Sequence, residues 1–394
     1  MKKTGKRETS SKRKELEKMK KWKPLSIITI AGALLATEIG SGFASGQETM
    51  QFYTAYGWGS VLVGIMTMLI TYFTFEAYAY AGRTRDLKTL REVCCFYGGK
   101  YLGRLFEIFA WLFATSCYVF MISGFGAVLN QQWGIPTPAG SAIGTALAVL
   151  TAVMGLKNIV NVIGKIGPLI ALFTLVIGVV SAFTYYPKIS EGIALLKSGA
   201  VTVTAGSTNS FTAGLSIGGC TVLLCATMVA TLAYNYREYK FNGFRLCIGI
   251  CAVVIPGVSL IMGLNLLGAI SEVHNVAIPN MILASKLLGP VGMLFTIVII
   301  LAIYTTICPL LWTALAPFLK DQGNNKYRIA CVLVGIAVWI ITIAFDYATL
   351  LNWVMTYGGY CGAFAAVVCI GRYLYIRQKD KSGISDGVST DVAE

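Results

Sequence analysis

The first long apolar stretch of this chain contains Ala36-Thr37-Glu38-Ile39-Gly40-Ser41-Gly42-Phe43-Ala44-Ser45-Gly46-Gln47-Glu48, in which three glycines and two carboxylates interrupt sequence of bilayer length. Such a segment does not stay a regular lipid-facing helix. Main-chain groups released by a break find no water in hydrocarbon, so unwound backbone persists only where it is buried in protein or lines a cavity. A break flanked by Glu38 and Glu48 is therefore expected to be a binding site.

The setting is a membrane. Of the 394 residues 56% are hydrophobic and 13% charged, and the apolar residues gather in runs of roughly 18 to 25, the length that crosses a bilayer. Ten spans are expected, near residues 25–51, 59–80, 103–130, 139–156, 159–185, 209–234, 243–270, 290–318, 328–344 and 348–375. The net charge of +14 would suit nucleic acid, but its placement points elsewhere. With the amino terminus cytoplasmic, 29 of the 32 Lys and Arg residues fall on inner segments, leaving Lys188, Lys197 and Lys286 outside. That asymmetry follows the positive-inside rule. It predicts a multi-pass cell-membrane protein with both termini cytoplasmic, the lipid bilayer as partner and no nucleic acid.

No soluble domain is long enough to stand alone. Residues 1–24 read as a basic cytoplasmic tail, residues 25–376 as one transmembrane domain, and residues 377–394 as a second cytoplasmic tail. The tail is not a secretory leader, because the following apolar run is too long and lacks a cleavage site. The eleven cysteines form no metal-spaced cluster and lie mostly within spans, as small packing residues. Outside the membrane, the run 189–196 and the segment 272–288 suit short interfacial helices, and His274, the only histidine, reads as solvated surface. There is no HExxH and no phosphate loop, so an enzyme is not expected.

Ten spans divide as five plus five, near residues 25–185 and 209–376, and inverted halves place interrupted helices at matching positions. The sixth span carries Ser216-Ile217-Gly218-Gly219-Cys220 where the first carries Gly40-Ser41-Gly42. Paired glycines allow a break but also mark close helix crossings, and the two readings stay open.

Charges at mid-membrane face a cavity, pair or carry ions. Glu38 lies closest to the glycines, where it would meet a solute ammonium or take up a proton, while Glu48 would hold the unwound backbone. Glu76 and Glu107, near an interface, fit structural roles. In the eighth span, Ala302-Ile303-Tyr304-Thr305-Thr306 places adjacent hydroxyls in an apolar helix. They suit a small hard cation, or bonds to their own helix.

These motifs resemble the amino acid-polyamine-organocation superfamily, with its LeuT-type five-plus-five fold and broken first and sixth helices. More narrowly they look like the YkvI-type bacterial membrane proteins, over about residues 25 to 376. The resemblance implies a sodium site formed by the carbonyls of Ala36 and Ile39 with Ala302, Thr305 and Thr306. It also implies a solute carboxylate on the amides of Gly40, Ser41, Gly42 and Phe43, a closing aromatic at Tyr118, and an opposite wall of Ser216 and Gly218. Some members replace sodium by a cationic side chain from the fifth span, and Lys165 is either that group or an interfacial anchor.

The function this implies is a secondary active symporter of an amino acid or related small amine-bearing solute, working by alternating access. Sodium is the coupling ion, and no cofactor is needed. A proton-coupled carrier or exchanger, and a solute receptor that does not transport, are the alternatives.

Overall fold

The computed structural model describes residues 22–38, 41–154, 176–319 and 324–382. Among these residues the regular structure is helical, as expected, with no β-strand. Among the described residues seven helices are long and apolar enough to cross a membrane: Thr54–Thr84, Leu90–Trp133, Ser210–Asn235, Phe241–Gly268, Gly292–Leu315, Asn325–Ala344 and Tyr347–Asp380. Two shorter apolar helices, Ser26–Leu35 and Thr137–Val153, belong to the first and fourth expected spans. The fifth span is described only at its end, residues 176–185. Lys165 lies outside the described residues, as do Ile39, Gly40 and most of the basic tail.

Local sequence explains the boundaries. The third-span helix begins at a capping box, in which Thr89 Oγ1 accepts from the Glu92 amide and the Glu92 side chain accepts from the Thr89 amide. These bonds satisfy main-chain donors that a helix start leaves free. Gly99 (φ 70°) then kinks the helix, and Gly134 ends it in the left-handed conformation. A second capping box, Asn209 with Thr212, starts the sixth-span helix. Outside the spans, the short helices Ile189–Lys197 and Pro279–Leu288 form in the segments where interfacial helices were expected. The last helix continues through Ser382, well into the segment read as a tail.

The sixth-span helix packs between the second and tenth, and here the structure departs from the broken sixth helix that the resemblance implies and takes the packing reading of its glycines. Ser210–Asn235 runs unbroken through Ser216 and Gly218. The small residues serve packing instead. A Cβ on Gly219 would stand 1.9 Å from the Gly359 carbonyl oxygen, and one on Gly362 would stand 1.9 Å from the Gly219 carbonyl oxygen. Backbones that approach this closely hold two membrane helices by van der Waals contact while each keeps its own hydrogen bonds.

The basic end of the bundle is tied by ion pairs. Glu76 of the second span, its side chain 5% exposed, receives Arg245 Nε at 2.7 Å from the seventh span and Arg377 Nη1 at 3.3 Å from the tenth. Asp380, one turn beyond Arg377, takes Arg85 Nη2 at 3.1 Å and the Tyr80 hydroxyl. Arg83 reaches the carbonyls of Tyr236 and Arg237, and Trp22 stacks on Tyr236 with its indole N–H on the Lys240 carbonyl. A structural role for Glu76 is thus what the structure gives.

Candidate functional site

The first span is interrupted, as its sequence demands. The chain is helical over Pro24–Glu38, again over Ser41–Ser45 after residues 39 and 40, which lie outside the described residues, and over Gln47–Phe52 after Gly46, whose φ of 82° belongs to the left-handed region and breaks the helix. That angle costs any residue with a Cβ roughly 1 to 2 kcal/mol, so glycine fits here.

The freed backbone does not go unbonded. Asn280, fully buried on the Pro279–Leu288 helix, donates its side-chain amide to the carbonyls of Phe43 (3.3 Å) and Ala44 (3.1 Å). Its Oδ1 stands so near Gly46 that a Cβ there would lie 2.4 Å away. Ser45 Oγ reaches the Gly42 carbonyl at 3.0 Å and pairs with the Tyr347 hydroxyl at 2.9 Å. Gln51 Nε2 donates to the Ala348 carbonyl at 2.9 Å, pinning the outer piece to the start of the tenth span. Buried polar backbone in a membrane needs such partners, and the chain supplies them from elements remote in sequence.

Behind the break lies a cavity of about 80 Å³. Glu38, Gly42, Phe43 and Glu48 of the first span line it, and Cys251 Sγ donates to Glu38 Oε1 at 3.0 Å. Glu48 folds back over the glycine, so that a Cβ on Gly42 would stand 2.5 Å from Glu48 Oε2. The walls are Phe113, Cys117, Phe120 and Met121 of the third span, Ile217 and Cys220 of the sixth, Pro256 and Ser259 of the seventh, and Met355 of the tenth. Tyr53, 1% exposed, also lines it, with its hydroxyl beside the Thr67 and Ser259 side chains. Among the described residues no Lys, Arg or His side chain lines the space. A larger opening of about 750 Å³ lies at the end opposite the basic loops, among residues 202–204, 274–277 and 342–348. Gln47 lines that opening while Glu48 lines the inner cavity, so the break forms the partition between them.

Several sequence-expected site residues lie elsewhere. Tyr118 is fully buried but does not line the cavity; Cys117, one residue back, does. Ser216 Oγ donates to the Met355 carbonyl at 2.8 Å, and Gly218 packs on Ile70. The sixth span presents Ile217, Cys220 and Thr221 to the cavity instead, because neighbouring residues on a helix point about 100° apart.

At the eighth span, Thr305 and Thr306 both donate to the Ala302 carbonyl, at 3.0 and 2.8 Å. Each hydroxyl keeps its lone pairs and so its capacity for a cation, whereas the twice-bonded carbonyl of Ala302 is a poor ligand. The Ser41–Ser45 piece packs on this helix, so the two spans expected around an ion are adjacent. Ala36 lies in the helix Pro24–Glu38 and Ile39 lies outside the described residues, so the carbonyl half of that set is described only in part.

Asn280, Tyr53, Cys251 and Tyr347 were not singled out from sequence. The one available signal was for Asn280, an amide between the Pro279 that opens its helix and the apolar run 281–284.

No family model matches the chain. It is 26% identical over 152 residues to the uncharacterized membrane protein YkvI of Bacillus subtilis (strain 168), a match covering 38% of this chain and 43% of that protein. The match thus spans less than half of that relative's length. Among solved structures, the chain superposes on MhsT in complex with L-phenylalanine with a TM-score of 0.60 at 13% identity, covering 95% of each chain. On the inward-facing conformation of Mhp1 the TM-score is 0.54 at 16% identity, covering 90% of this chain and 77% of that one. Both neighbours are LeuT-fold transporters, not enzymes. At such identities the likeness establishes the fold, an all-helical membrane architecture of the LeuT type.

Proposed function

We propose that this LeuT-type chain is a secondary active transporter of a small amine-bearing solute, the amino acids included, that binds at the interrupted first helix. One observation carries the proposal: Glu38, Gly42 and Glu48 converge on a cavity at the break. Intramembrane carboxylates at such a place bind solutes or ions, because their desolvation is otherwise uncompensated. The asymmetry of the two ends supports alternating access. Glu76 and Asp380 tie the basic end, while the opposite end opens as far as Gln47. A solute that binds the two end states unequally shifts the population between them.

Sodium is the first coupling ion to test, on Thr305 and Thr306 with carbonyls of the first span. A proton is the second, favoured by two cavity carboxylates that have no Lys, Arg or His partner among the described residues. Uptake of labelled solutes into proteoliposomes, with sodium or proton gradients imposed separately, decides between them. Accumulation with one gradient names the ion. Binding without accumulation under either gradient removes transport and leaves a receptor.

A further inference from the structure

The third span gives the depth of the two spaces. Phe113, Cys117 and Phe120 line the inner cavity and Ala127, Asn130 and Gln131 line the outer opening, along one helix that rises about 1.5 Å per residue. Gly124 stands between the two sets and lines neither space. A ring from the tenth span fills that level. A Cβ on Gly124 would stand 2.8 Å from Tyr347 Cε2, and the Tyr347 ring centroid lies 6.4 Å from that of Phe120. Tyr347 lines the opening although only 3% exposed, so its ring forms a floor between that space and the cavity aromatic.

This floor is tethered to the break. Tyr347 is the first residue of the tenth-span helix, which follows the end of the ninth at Ala344 after a short connection. Its hydroxyl meets Ser45 Oγ at 2.9 Å. Ser45 has one hydroxyl proton, which goes to the Gly42 carbonyl at 3.0 Å, so Tyr347 is the donor. The same oxygen accepts from the Gln47 amide at 3.2 Å. Gly42 lines the cavity and Gln47 the opening, so Ser45 Oγ joins both spaces to the ring that separates them. Tyr118, the closing aromatic that the resemblance implies, lines neither space.

We infer that Tyr347 is the lid of the cavity on the side of the opening, held shut by its bond to Ser45, and that a solute passes when this ring leaves its seat on Gly124. The inference rests on the reading of the cavity as a solute site and adds the residue that admits and retains the solute. Because Ser45 Oγ is shared, a change at the Gly42 carbonyl reaches the ring through a single atom. Lids of this kind open locally, at a cost well below that of unfolding, and a ring held by one hydrogen bond at a helix start meets that condition.

The test reads access to the cavity through its own thiols, in the purified full chain with no solute present. Cys117 and Cys220 line the cavity, whereas Cys94 and Cys369 are buried away from it. A water-soluble methanethiosulfonate bearing a trimethylammonium group is added, and modification of each cysteine is followed by peptide mass spectrometry. Tyr347→Ala, which removes the lid, should speed modification of Cys117 and Cys220 about tenfold or more. Tyr347→Phe deletes only the tether, keeps the shape even if the alanine variant fails to fold, and should speed both by about twofold to threefold. Ser45→Ala removes the same bond from the other side and should do at least as much. Cys94 and Cys369 should keep their rates throughout. Unchanged rates at Cys117 and Cys220 in both Tyr347→Phe and Ser45→Ala overturn the inference, as does a rise shared equally by all four cysteines, which marks a packing role alone. Since no solute enters the measurement, a failed lid leaves gradient-driven uptake to establish the transporter, and a lid established here stands even where uptake fails.

Discussion

Replacing Asn280 tests whether the interrupted first helix is held open by a partner from outside it. Its amide donates two bonds, at 3.3 and 3.1 Å, to carbonyls the break leaves free. Removing the donor from buried acceptors costs about 1 to 3 kcal/mol. The same truncation deletes Oδ1, which has no partner of its own, and so gives back about 1 kcal/mol. Asn280→Ala should therefore destabilise by a net of about 1 to 2 kcal/mol, a fall of a few degrees in unfolding temperature. Asn280→Asp should cost more, because a carboxylate cannot donate to the carbonyls.

The sharper measurement is a double-mutant cycle. In Gly46→Ala a new Cβ would stand 2.4 Å from Asn280 Oδ1, at a φ of 82°. The backbone term of about 1 to 2 kcal/mol persists in any background. The steric term, about 1 to 3 kcal/mol, vanishes once Asn280 is alanine. The two substitutions should be less costly together than their separate costs imply, with a coupling of about 1 kcal/mol or more. Unfolding of the purified proteins at one fixed scan rate reads this out, since membrane proteins of this size unfold irreversibly. Strict additivity would refute the contact, and with it the account of how the break is held.

Three further outcomes follow from the structure. Gly219→Leu should prevent the sixth and tenth spans from meeting, since even one methyl would stand 1.9 Å from the Gly359 carbonyl oxygen, and should lower the yield of monodisperse protein sharply; tolerance would restore the reading of a flexible break there. Thr305→Ala with Thr306→Ala should abolish sodium-stimulated uptake while leaving the protein in the membrane, and unchanged sodium dependence in proteoliposomes would remove the proposed ion site. Glu76→Gln unbalances Arg245 and Arg377, both about a third exposed, and should cost about 1 to 2 kcal/mol by thermal unfolding while opening the basic end to water-soluble thiol reagents. If accessibility does not change, these ion pairs do not close that end.

The first-span break was legible because glycines and carboxylates are costly in lipid unless they act, so their density alone marked Glu38 to Glu48. The sixth span misled because glycines in membrane helices serve two ends. Gly219 against Gly359 is a packing contact, and only the position of the tenth span reveals it. Face assignment failed by single residues, Tyr118 for Cys117 and Ser216 for Ile217, since a one-residue shift in helix phase turns a side chain from cavity to neighbour. Asn280 was unreadable for another reason. Its partners are main-chain carbonyls 236 and 237 residues away, which leave no pattern in side-chain sequence.

The most direct test of a solute site at the break uses the protein's own thiols. Cys117 and Cys220 line the cavity, whereas Cys94, Cys331 and Cys369 are buried away from it. Purified full-length protein is treated with N-ethylmaleimide, with and without an amine that raises its unfolding temperature, and each cysteine's modification is followed by peptide mass spectrometry. The account predicts that the amine slows modification of Cys117 and Cys220 several-fold more than that of the other three. Equal slowing of all five, or protection of the distant cysteines alone, would contradict it.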